Sequence, residues 1–298
     1  MQINQVINTP TLFARALSAY WYAGRHNIPG LEFASFGRRL GLRMLMRRAR
    51  PWASYLLTPV NITRYYEFPF TFASLSSKPR QCLDVSSPRL FSFYVADKHP
   101  DATIRMINPD STDCAFTHSV VTTLNFQNIR IDNLDLRAAL ADGKTYDHIW
   151  SISVIEHIDG DYDDRAAARE LYDALCPGGR LILTLPVDRI LWNEYRSHNA
   201  YGTQSTRDAD RYFFQRYYDR DAIHARIIDE IGRQPSVVSW FGEKVAGHFE
   251  AYEQQWIEEG YNRIVDDPKE IADYYQAYPS WDAMPGKGVC GMMFEKPT

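Results

Sequence analysis

Residues 146–187 read YDHIWSISVIEHIDGDYDDRAAARELYDALCPGGRLILTLPV. Tyr146–Ile152 is an apolar run of strand length. Asp163–Leu175 carries Ala167, Ala168, Leu171, Ala174 and Leu175 on one helical stripe. Asp163 or Asp164 is placed to cap its start, where a carboxylate satisfies free N–H groups and suits the helix dipole. Pro177-Gly178-Gly179 reads as a helix stop and turn, and Arg180–Leu185 as a second buried strand. A strand, a helix and another buried strand in this order predict a parallel pair joined by a crossover.

The same rhythm extends both ways. Upstream, Gln81–Val85 reads as a strand, Phe91–Lys98 as a helix and Thr103–Ile107 as a strand ending at the Asn108-Pro109 turn. Val120–Leu124 reads as a third strand and Ile129–Ile131 as an edge piece. Downstream come a polar loop, Asp188–Tyr212, a helix over Arg220–Ile231 and a strand over Ser236–Trp240. A helical stretch over Lys244–Ala277 and a last strand, Gly288–Glu295, complete the chain. The expected class is α/β, a doubly wound, mostly parallel sheet with helices on both faces. The expected organisation is a helical N-terminal extension over 1–78 and a sheet domain over 79–298, with an insertion near 241–286.

Composition narrows the function. The 298 residues carry a formal net charge of −4, so the chain as a whole is not built for nucleic acid. Cys82, Cys114, Cys176 and Cys290 are far apart and form no CxxC pair, which speaks against a zinc site or a disulfide framework. No basic–apolar leader and no membrane-length apolar run is present, so the expected compartment is the cytoplasm. Within 1–78, Arg39, Arg43 and Arg47 recur every four residues and share a helical face. Two readings stand: a solvated packing helix, or a basic face for a membrane surface or an acidic partner. The sequence leaves the oligomeric state open.

In an open parallel sheet, ligands bind beyond the carboxyl ends of the strands where strand order reverses. The residues there are Asp84 at the end of the first strand, Asn108 and Asp110 after the second, and Asp135 further on. Ser151–His157 follows the fourth strand. No G-x-G-x-x-G follows the first strand, which argues against a nicotinamide-dependent oxidoreductase.

Two segments carry a specific resemblance. YDHIWSISVIEHI at 146–158 and LCPGGRLILTLPV at 175–187 resemble, in order and spacing, two motifs of class I S-adenosylmethionine-dependent methyltransferases. LDVSSP at 83–88 stands in the place of that family's cofactor loop, and GMMFEK at 291–296 in that of its terminal strand. The resemblance covers roughly residues 80–298 and implies a Rossmann-like fold with S-adenosylmethionine as cofactor. It implies that Asp84, Ser86 and Ser87 face the cofactor's methionine end and that Asn108 or Asp110 holds the ribose. It further implies that Asp135 reaches the adenine and that Ser151 and Ser153 line the cofactor near the reacting methyl. The family's glycines after the acid are absent: the run is Asp84-Val85-Ser86-Ser87-Pro88-Arg89-Leu90.

The expected activity is methyl transfer to a small-molecule or glycan acceptor, at oxygen. The alternative is a non-catalytic member of the fold acting as a binding or scaffold module, motivated by the missing glycines. A hydroxyl acceptor needs a base. His198 is the first candidate and His157 the second, with Asp188 and Glu194 behind them. Tyr195 and His198 are expected to line the acceptor pocket. No metal is expected.

Overall fold

The computed structural model describes residues 10–199 and 207–298. They form two compact units. One is Met1–Pro69 with Phe241–Gly288; the other is Phe70–Trp240 with Val289–Thr298. The insertion thus groups with the N-terminal helices, and the division falls at Pro69.

The first unit opens with α1 (Pro10–Arg25), α2 (Leu31–Met46), α3 (Trp52–Leu57) and the start of α4 (Arg64–Ser74). Helix α1 buries Leu12, Ala16, Ala19 and Ala23, and α2 buries Phe33, Phe36, Leu40 and Met44. Both sets follow helical spacing, so each helix packs one stripe. Gly30 precedes α2 with φ 75°, and a Cβ there would stand 2.5 Å from the Tyr65 carbonyl oxygen. Glycine is required at that position on both counts.

The second unit alternates strands and helices. It contains β1 (Gln81–Val85), α5 (Arg89–Lys98), β2 (Thr103–Ile107), α6 (Ser111–Leu124), β3 (Ile129–Asp132), α7 (Leu136–Leu140) and β4 (Tyr146–Ile152). A 3-10 turn at Ile155–His157, α8 (Asp164–Asp173) and β5 (Leu175–Val187) follow. Then come β6 (Trp192–Arg196), β7 (Arg207–Asp208) and β8 (Arg211–Tyr217). Next are α9 (Arg220–Ile223), a π-helical turn at His224–Ile228, α10 (Asp229–Ile231) and β9 (Val237–Glu243), which runs out of the unit at Phe241. The first unit resumes with α11 (His248–Glu259), α12 (Tyr261–Ile264), α13 (Asp267–Tyr274) and β10 (Tyr275–Tyr278). The last strand, β11 (Gly288–Glu295), returns to the second unit.

In the second unit the order across the sheet is β9-β11-β5-β4-β1-β2-β3. The pairs β1/β2, β1/β4, β2/β3 and β4/β5 are parallel. Chain order therefore reverses between β1 and β4, the crevice where such sheets bind ligands. Trp150, Ile149, Leu181, Ile182 and Leu183 are fully buried in the central strands, and the Phe91 ring meets Trp150 edge-on at 5.5 Å.

Three local readings are corrected. Val120–Leu124 is not a strand but the end of α6, which starts earlier at the Asp110 cap. Val120, Val121 and Leu124 are buried on one helical side, so tertiary burial overrides the strand preference of β-branched residues. Pro177-Gly178-Gly179 is not a helix stop: α8 ends at Asp173, and the three residues bulge within β5, where register shifts opposite Tyr146/His148. Gly178 takes φ 75° in that bulge. Finally, the polar stretch after β5 folds as a second, antiparallel sheet of order β6-β8-β7.

Candidate functional site

A cavity of about 650 Å3 opens at the carboxyl ends of β1, β2 and β4. Its walls include Ser86, Asn108, Asp110, Asp135, Ser153 and His157, with Arg137, Asp159 and Tyr162 beside them. That volume lies within the range of small-molecule sites.

Beneath the loop after β1 lies Asp84, which is fully buried. Its Oδ1 accepts the Ser87 N–H at 2.9 Å, and Oδ2 accepts the Ser92 hydroxyl. Burial pushes the carboxyl up to about 6, against the lowering effect of the Ser92 and Ser87 hydrogen bonds. Asp84 therefore shapes the loop from beneath. Ser87 and Ser151 are likewise buried, and none of the three is among the cavity-lining residues. The Ser87 hydroxyl accepts the Ile152 N–H at 3.0 Å, which ties the β1 loop to the end of β4.

Ser86 explains how a loop without glycine keeps its turn. Its φ is 50°, the left-handed conformation that glycine adopts at no cost. Ser86 N–H and Oγ–H both donate to the Ile107 carbonyl, at 3.0 and 2.9 Å, which holds a backbone that side chains rarely adopt. Ser153, after β4, takes φ 48° and donates its N–H to Thr184 Oγ1 at 3.0 Å. The two strand ends that flank the crevice thus both turn on a left-handed serine. Sparsely populated backbone of this kind clusters at functional sites.

The remaining walls are helix starts. Asp110 Oδ1 accepts the Thr112 and Asp113 N–H groups and caps α6; Asp135 Oδ1 accepts the Ala138 N–H at 2.7 Å and caps α7. Each keeps a second carboxylate oxygen with no hydrogen-bond partner among the described residues. Asn108 is engaged on both sides: Nδ2 donates to Asp113 at 3.0 Å and Oδ1 accepts the Asp110 N–H at 2.9 Å. Its role is to shape the turn, and Asp110 offers the open acceptor. Arg89, which the sequence reading passed over, pairs with Asp113 and lies over the Phe116 ring at 4.4 Å, tying α5 to α6. Asn133 was missed as well; its amide donates to the Asn108 and Pro109 carbonyls at 2.9 and 3.0 Å. An exposed asparagine outside any motif carries no sequence signal for that role.

His157 stands on the β4 side. Its Nδ1 donates to the Phe214 carbonyl in β8 at 2.6 Å, and its ring meets Phe214 edge-on at 5.0 Å. In the neutral ring this makes Nε2 the basic nitrogen. Strand β8 is anchored below by Asp164, fully buried, which accepts from Arg216 at 2.6 Å, Tyr218 at 2.8 Å and Arg226. His198 lies exposed just past β6, and Tyr195 sits in β6 with its ring edge-on to Phe213 at 6.0 Å. Neither is among the cavity-lining residues.

At the amino ends of β1 and β4, Cys82, Asp147 and His148 bring donor atoms within 4.8 Å of one another. Asp147 and one nitrogen of His148 are already engaged. Asp147 accepts the Arg80 and Gln81 N–H groups, and His148 Nε2 accepts the Ser76 N–H.

A parallel sheet reversing at β1/β4, with a cavity there walled by acidic helix caps, defines a Rossmann-like ligand-binding protein. Residues 89–183 match the family model described as "Methyltransferase domain". The match covers about a third of the chain and begins at Arg89, inside the glycine-free run. No curated protein matches the chain in sequence. Among solved structures, coclaurine N-methyltransferase bound to N-methylheliamine and SAH is 12% identical, over 95% of this chain and 100% of that one, with a TM-score of 0.42. Geranyl diphosphate C-methyltransferase from Streptomyces coelicolor A3(2) is 10% identical over 78% and 77%, with a TM-score of 0.48. Haemonchus contortus phosphoethanolamine N-methyltransferase 2 is 12% identical over 75% and 50%, with a TM-score of 0.43.

Proposed function

We propose that the chain is an S-adenosylmethionine-dependent methyltransferase acting on a hydroxyl of a small molecule or glycan. The observation that carries this reading is the cavity at the β1/β4 crevice, with open carboxylate oxygens on one wall and the His157 imidazole on another. The residues suit the cofactor. The second oxygens of Asp110 and Asp135 are acceptors for ribose hydroxyls and the adenine amino group, and the acidic lining favours a sulfonium cation. The left-handed Ser86 keeps the turn that glycine gives elsewhere, which supports cofactor binding over a purely scaffolding role. When bound, S-adenosylmethionine supplies an electrophilic methyl group.

The chain's own work is to hold the acceptor in line and to take its proton. Proximity provides most of the rate effect in such a displacement. His157 Nε2 receives the hydroxyl proton, and the Phe214 carbonyl holds the ring in the tautomer that can do so. The β6–β8 sheet, through Phe214 in β8, forms the acceptor side in this proposal, with Tyr195 and His198 on β6 and just past it. Calorimetric titration with S-adenosylmethionine and its demethylated product tests cofactor binding; no heat and no thermal shift at millimolar ligand sinks the reading. Screening of hydroxyl, amine and carbon acceptors tests the finer claim, which fails if only amines or carbons are methylated.

A further inference from the structure

We propose that the first unit docks on an anionic phospholipid surface through the solvent faces of α1 and α2. Helix α1 already buries one stripe, Leu12, Ala16, Ala19 and Ala23, yet it also exposes Phe13, Leu17 and Trp21. Those three recur every four residues and therefore form a second apolar stripe on one face. Trp21 is 61% exposed, with the Arg25 guanidinium 4.2 Å above its ring. Single exposed apolar residues are ordinary; a stripe of three large ones marks an interaction face.

Helix α2 repeats the arrangement with charge added. Leu42, Leu45 and Met46 are exposed, Met46 at 70%. Arg39, Leu42, Arg43 and Met46 fall at i, i+3, i+4 and i+7 and share a face, and Arg47 and Arg48 follow at the helix end. From Phe33 to Leu57 there are six arginines and no acidic residue, in a chain whose net charge is −4. Arginine stems interleaved with exposed apolar side chains fit the boundary between headgroups and acyl chains, where the stems lie along apolar surface and the guanidinium groups reach phosphate. Tryptophan favours the same depth. An acidic protein surface answers the charge alone, whereas an anionic bilayer offers phosphate to the arginines and an apolar layer to Phe13, Leu17 and Trp21. No helix among the described residues is long and apolar enough to cross a membrane, so the contact lies in the interface plane.

The test is sedimentation of the full chain with vesicles of phosphatidylcholine alone and with about a third phosphatidylglycerol. Binding is expected to the anionic vesicles only and to be lost at high salt. Arg39→Glu/Arg43→Glu/Arg47→Glu should lower the partition coefficient about a hundredfold. Trp21→Ser should lower it about tenfold. Circular dichroism checks that each variant folds; if the triple variant does not, Arg47→Glu/Arg48→Glu at the exposed helix end replaces it. Equal binding to pure phosphatidylcholine, no binding to either vesicle, or indifference to the charge reversal overturns the proposal. So does a dimer in light scattering that Trp21→Ser dissociates, because a second copy would then cover the stripe.

Discussion

His157 in the turn after β4 donates its Nδ1 hydrogen to the carbonyl oxygen of Phe214 in β8, across 2.6 Å and 57 residues of sequence. One contact thereby fixes the tautomer of a cavity-lining imidazole and ties the antiparallel sheet to the end of the parallel one. In His157→Asn the amide can still donate to that carbonyl, but the basic nitrogen is gone. Turnover is expected to fall about a hundredfold or more while cofactor affinity stays within about threefold. His198→Ala serves as the comparison. If it abolishes turnover and His157→Asn does not, the base is His198.

Ser86 tests the glycine-free loop. Ser86→Gly relieves about 1 kcal/mol of left-handed strain and loses one hydrogen bond of similar size, so stability should change by less than about 1 kcal/mol. Ser86→Val places a β-branched residue at φ 50° and should cost about 1–3 kcal/mol, with weaker cofactor binding. Denaturant unfolding and titration measure the two. A valine variant as stable as the wild type would show that the turn is not under strain.

Asp84 makes a pH prediction. Its carboxyl is raised by burial from 3.8 to about 6, so between those values the folded chain holds a proton that the unfolded chain has released. Its contribution to stability therefore falls as pH rises from about 4 to 6 and is constant above, a loss on the order of 2–3 kcal/mol. Asp84→Asn can accept from Ser87 through Oδ1 and donate to Ser92 through Nδ2, keeping the loop. The difference between wild type and variant, followed by denaturant unfolding across that window, should carry this slope. A flat difference would place the Asp84 proton equilibrium elsewhere.

Asp110 separates a cap from a ligand. Asparagine caps as well as aspartate, so Asp110→Asn should leave melting nearly unchanged. It removes the charge from the open oxygen, and cofactor affinity should drop about tenfold or more. An unchanged dissociation constant would assign Asp110 to the cap alone.

Much of this architecture is legible in the chain itself. β1, β2, β4 and β11 fall on the residues that continuous apolar runs between turn signals predict. The α8 cap at Asp163 is equally local, its carboxylate accepting the Arg165 and Ala166 N–H groups. Such features depend on side-chain patterning within a few residues, which is why the strand–helix rhythm and the methyltransferase motifs at 146–158 and 175–187 could be read directly.

What only the tertiary structure decided depends on distant partners. Val120 and Val121 are strand formers, yet they lie in a helix because the Asp110 cap starts it and a buried side pays for it. Asp84 ends a strand as a ligand residue would, but Ser87 and Ser92 draw it under the loop. Asn108 and Asp110 are neighbours of similar chemistry, and the Asp110 N–H donated to Asn108 Oδ1 occupies the asparagine's acceptor while Asp110 keeps one oxygen open. Phe13, Leu17 and Trp21 look like core in a sequence, because apolarity is local; whether a helix face finds a partner is not, and the α1 stripe finds none within the described chain.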